Sequence, residues 1–73
     1  MRAKALKMCE LEIAMLAEHH ISASASINDL LLAMRELHFG PADHFLDTYE
    51  ERIKTALQTL KDLRRHLNEI GED

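Results

Sequence analysis

From Leu6 the apolar positions of this chain recur in a seven-residue frame. With Leu6 set as position a, that position holds Leu6, Ile13, His20, Ile27 and Met34, and position d holds Cys9, Leu16, Ala23, Leu30 and Leu37. Such spacing places both sets on one side of an α-helix. The frame crosses His19–Ser26 without a stutter, although that stretch has poor helix propensity and a cap-like spacing from Ser26 to Asp29. A break there would give two shorter helices, but breaks usually shift the frame. The expectation is one continuous helix from about Ala3 to His38.

A second pattern runs from about Pro41 to Ile70, with Leu46, Ile53, Leu60 and Leu67 at a and Tyr49, Ala56, Leu63 and Ile70 at d. Gly40-Pro41 divides the two, since proline lacks a backbone donor and biases the preceding residue away from helical angles. The first helix is therefore expected to stop near Phe39, with the turn at 39–41. Asp43, Asp47, Glu50 and Glu51 crowd the start of the second helix, and Arg64, Arg65 and His66 its end, both complementing the helix dipole. Glu50 and Lys54 have the favourable i, i+4 order, and Gly71 is the expected stop.

Folding the two patterns about the turn pairs every a with a d when residue numbers sum to 83: Leu37 with Leu46, Leu30 with Ile53, His20 with Leu63 and Ile13 with Ile70, among others. Large meets small at Ile27/Ala56 and Ala23/Leu60. The expected fold is all-α: a single-domain, coiled-coil-like antiparallel two-helix hairpin. In this register Leu6 and Cys9 overhang the end of the second helix. Met8 and Met15 at c, and Leu11 and Leu32 at f, lie opposite it without intramolecular cover.

Composition makes that uncovered set matter. A chain of 73 residues rarely buries enough apolar surface to be comfortable alone. The single Cys9 offers no internal disulfide, so burial is expected from oligomerisation or a protein partner. Apolar residues make up 47% and aromatics 4%, a helix-rich composition. The net charge of −4 leaves neither half basic, which argues against nucleic acid or an anionic membrane as partner. Arg2, Lys4 and Lys7 resemble the opening of a signal peptide, but Glu10 and Glu12 interrupt its apolar run, and no stretch is long enough to insert in a membrane. A free thiol without a leader points to the cytoplasm.

Candidate chemistry is sparse. Adjacent His19 and His20 point about 100° apart on a helix and cannot chelate one ion together. His38 and His44 flank the turn without a completing Cys, Asp or Glu. No metal or other cofactor is expected. His20, at an inward a position opposite Leu63, either fills the seam edge or forms a proton-sensitive layer that loosens the bundle below about pH 6. Cys9 has Met and Leu neighbours and no base, so it reads as a small buried hydrophobe rather than a nucleophile. Catalysis has no positive signal. The candidate partner-binding residues are Leu6, Met8, Cys9, Leu11, Met15 and Leu32. They would form either the core of a homo-oligomeric four-helix bundle or a docking face for another protein.

The span Ile27–Leu67 resembles a family. The run Met34-Arg35-Glu36-Leu37 into Gly40, then Asp43, Phe45 and Tyr49-Glu50-Glu51-Arg52-Ile53-Lys54-Thr55-Ala56-Leu57, is similar to the small co-chaperones of type III secretion needle subunits, the YscE-like group. That resemblance implies a non-enzymatic cytosolic helical hairpin. Such a protein joins a larger tetratricopeptide-type chaperone and helps keep the needle subunit soluble before export. The alternative is a homo-oligomeric four-helix-bundle regulator or adaptor.

Overall fold

A computed structural model describes residues 2–72, and the side chains of 3–71, as two helices: α1 (Arg2–Arg35) and α2 (Ala42–Glu72). They pack along their whole length as an antiparallel hairpin of 55 × 14 × 12 Å. The all-α hairpin is thus the fold, and α1 is continuous through Ser22–Ser26. Neither helix is long and apolar enough to cross a membrane.

The turn differs from the one expected. α1 ends at Arg35, three residues before His38, and Leu37 adopts a left-handed conformation with φ 59°. The His38 amide donates to the Ala33 carbonyl at 2.8 Å and the Leu37 amide to that of Met34 at 3.2 Å. This pair of bonds is a Schellman cap, with leucine where glycine usually stands. Gly40 has no positive φ, so its conformational freedom is not what turns the chain. The Phe39 carbonyl then accepts from Ala42, and the Pro41 carbonyl takes the first bond of α2, from Phe45. Proline serves there because its missing N–H would have had no helical partner. At the other end α2 continues through Gly71 to Glu72, so Gly71 is not its stop. The last turn carries no basic residue, and Arg64, Arg65 and His66 lie further back.

Register is the larger correction. The inter-helix pairs Glu12–His66, His19–Thr59 and Ser26–Arg52 are each mirrored about Phe39, whereas a sum of 83 would mirror them between Pro41 and Ala42. Both helices are also rotated, by about 60° relative to a seam of a and d. The seam is built from d and from g, the position just before a. On α1 it contains Ala5, Cys9, Glu12, Ala23, Ser26 and Ala33, all buried. Facing them on α2 are Tyr49, Arg52, Ala56, Thr59, Leu63 and His66, of which Thr59 is buried and the rest are half-buried. Small side chains on α1 allow close approach of the axes, and the g positions pair polar groups with one another. Ala5 and Cys9 are covered, so the start of α1 does not overhang.

Candidate functional site

Two features of the hairpin could carry function: a polar ladder inside the seam and an apolar face beside it. The ladder repeats every seven residues. His66 Nδ1 lies 2.8 Å from Glu12 Oε1, and His19 Nε2 lies 3.3 Å from Thr59 Oγ1. Thr59 also donates to the Thr55 carbonyl at 3.3 Å. The Arg52 guanidinium donates to the Ser22 carbonyl at 2.6 Å and to Ser26 Oγ. Among the described residues every buried side-chain nitrogen or oxygen has a partner. This explains why the serine-rich stretch stays helical: Ser22 and Ser26 are small enough for the seam, and Arg52 uses the polarity that would otherwise favour a turn.

The large apolar residues lie elsewhere. Position a on both helices falls on the same broad side of the hairpin, and position e continues it outward. Ile13 is 56% exposed and Leu57 50%, and Leu6, Ile27, Met34, Leu46, Leu60 and Leu67 are likewise open. Near the middle of this face is a groove of ≈ 490 Å³ lined by His20, Ser24, Ile27, Tyr49, Ile53 and Ala56. Its walls are mostly hydrocarbon, with the imidazoles of His19 and His20 and the hydroxyls of Ser24 and Tyr49 among the polar groups. Around the wheel the order is g, d, a, e, one unbroken arc. In a four-helix bundle a and d fill the centre, g meets one neighbouring helix and e the other. The hairpin satisfies g and d itself and leaves a and e open.

The candidate partner residues are scattered by this geometry. Leu6 sits on the open a/e face. Met8 is half-buried and borders a hollow with Lys4, Ala5, His66 and Glu69 at the open end of the hairpin. Leu11, Met15 and Leu32 are exposed on the other flank, and Leu32 borders a small hollow near the turn with Ala33 and Phe45. Cys9 is a correction: it is 3% exposed inside the seam and cannot be an open docking residue. Burial pushes its thiol above the ordinary value of 9.0, and the nearby carboxylates of Glu12 and Glu69 add to the shift. It stays a neutral thiol, as its small-hydrophobe role requires.

His20 is a second correction. It is exposed at the groove and does not face Leu63; the imidazole that enters the seam is His19. The seam partners Glu12, Arg52 and His66 were not singled out from sequence. A signal for them exists, because Glu12, His19 and Ser26 on one helix and Arg52, Thr59 and His66 on the other are polar runs with the same seven-residue spacing. Two matched polar stripes adjoining apolar ones indicate a seam that includes g.

The chain matches no protein-family model, no curated protein and no solved structure.

Proposed function

We propose that this chain is a non-enzymatic helical interaction module, which works by burying its a/e face against two further helices. Support comes from one mismatch. The buried apolar side chains of the hairpin are Ala5, Cys9, Ala23 and Ala33, while fifteen large apolar residues among those described stay more than a third exposed. Each small seam residue contributes about one methyl group, worth ~0.8 kcal/mol. The open residues are 37–72% exposed, so covering what remains open of a Leu or Ile is worth about half of the ~1.5–3 kcal/mol of full burial. Half-buried Leu16, Leu30, Tyr49, Leu63 and Ile70 add to the seam, yet a large apolar area is still left for a further contact.

In the co-chaperone form of this reading, the covering helices belong to a larger tetratricopeptide-type chaperone, and the pair keeps a secretion needle subunit soluble in the cytoplasm. Co-expression with such a chaperone then yields a complex that survives gel filtration. In the second form, a homo-oligomeric regulator or adaptor, they belong to this chain. The a/e stripe favours it by running along both helices, as a four-helix bundle requires. For either form Ile13→Asp abolishes association while leaving the g/d seam untouched. A cooperatively folded 8.4 kDa monomer indifferent to that substitution would refute the interaction reading.

A further inference from the structure

The open face reads nearly the same from both ends. On α1, Ile13 and Ile27 stand seven residues either side of His20, and Leu6 and Met34 fourteen. On α2, Glu50 and Arg64 stand seven residues either side of Leu57; Ile53 and Leu60 lie close inside them, and Leu46 and Leu67 close outside. The two centres share a level. Mirroring about Phe39 places His20 beside Gln58, one residue or about 1.5 Å along the axis from Leu57.

We propose that the helices covering this face belong to a second copy of the chain, related by a two-fold axis crossing the hairpin at the level of His20 and Leu57, with the two turns at opposite ends. This rests on the interaction reading above and names its partner. Each helix then packs antiparallel on its own counterpart. Ile13 meets the partner's Ile27, Ile53 meets the partner's Leu60, and Leu57 meets itself across the axis. Glu50 meets the partner's Arg64 twice per dimer, a self-complementary charge pattern of the kind an isologous contact needs. In the free hairpin Glu50 pairs with Lys54, at 3.7 Å and in solvent. In either orientation Arg64 meets one carboxylate and one glutamate faces apolar residues, Glu50 with the turns at the same end and Glu10 with the turns opposite. With the turns at the same end, however, Arg64 is four residues, about 6 Å, out of level with the partner's Glu10, whereas Glu50 and Arg64 are level about Leu57. The size is compatible: the hairpin's outline of 55 × 14 Å offers a footprint of the same order as the ~800 Å² that each partner buries in a standard stable interface.

The test uses the full chain. Light scattering gives twice 8.4 kDa. In a Cys9→Ala background, Leu57→Cys couples to its own counterpart through a disulfide or a short bismaleimide. Glu50→Arg or Arg64→Glu alone weakens the dimer about tenfold, and the double exchange restores it within a factor of about three. Such rescue inside one sequence requires self-association. A covalent dimer that does not form at Leu57→Cys, or an exchange that does not rescue, overturns the arrangement. A chain that is monomeric and unfolded alone yet folds with a larger helical partner overturns self-association and leaves the interaction reading standing. A cooperatively folded monomer unaffected by Ile13→Asp overturns both.

Discussion

His66 Nδ1 approaches Glu12 Oε1 to 2.8 Å across the seam, with the two side chains only 14% and 7% exposed. A pair so withdrawn from water is stabilising mainly in contrast to being broken, because either group left alone is buried without its partner. Glu12→Ala or His66→Ala should each cost about 3 kcal/mol, whereas Glu12→Leu with His66→Leu should be near neutral or stabilising. Denaturant midpoints for the four-membered cycle measure the coupling, and single substitutions costing under about 0.5 kcal/mol would contradict it.

Arg52 spans two acceptors on neighbouring turns of α1, the Ser22 carbonyl and Ser26 Oγ. A lysine keeps the charge but not the planar fork. Arg52→Lys is therefore expected to lose about 1–2 kcal/mol, with amides of residues 22–26 exchanging faster than the rest of α1. Uniform exchange along α1 in this variant would count against a local role for the guanidinium.

Leu37 is the strained residue of the turn, and Gly40 is not. Leu37→Gly should raise stability by about 1 kcal/mol by removing the left-handed penalty. Gly40→Ala should also stabilise, by about 0.4–1 kcal/mol, since nothing lies within 4 Å of the added Cβ and the unfolded chain loses freedom. Thermal melts decide, and destabilisation by Leu37→Gly would show that the capping assignment is wrong.

Cys9 gives the chain an alkaline limit. Its folded pKa is raised above 9.0, so the native state holds the proton more tightly than the unfolded state does. Stability from this site is complete below the unfolded value and declines as pH rises through it towards the folded value. Cys9→Ala should flatten the decline above about pH 9, and the native thiol should react with alkylating reagents far more slowly than after unfolding. Equal rates in both states would place the thiol outside the seam.

His20 interrupts the apolar a positions of the open face. His20→Leu continues them, and association should tighten by about 1–2 kcal/mol per mole of chain. The concentration dependence of the thermal midpoint at pH 7.5 reports this, and an unchanged dependence would mean that the face around His20 stays in water.

The hairpin and the continuity of α1 were legible in sequence because the seven-residue frame never shifts from Leu6 to Leu37. The register was not. Apolar spacing marks the arc of a helix that avoids water, but it does not say which edge of that arc meets the adjacent helix and which meets something further off. Here the polar g residues decided the first, as Arg52 and His66 found acceptors only in a mirror about Phe39. Gly40-Pro41 drew the expected helix end towards itself, because glycine and proline are the strongest punctuation a sequence has. A left-handed leucine has no comparable mark, so the true cap at Leu37 was hidden. Cys9 shared a frame with open residues, and only the corrected register shows it enclosed.

The ladder of polar pairs also acts as an error check on assembly. Heptad repeats are degenerate under a slide of seven residues, and the small apolar layers of this seam would tolerate one. The polar layers would not. Sliding one way sets His19 against Arg52 and gives Glu12 only the hydroxyl of Thr59. Sliding the other way stacks His19 on His66 and presses Arg52 onto Ala33, which has no acceptor. Each misalignment strands a charge in the tightest part of the molecule, so the ladder holds this chain to a single alignment that its apolar layers alone would leave ambiguous.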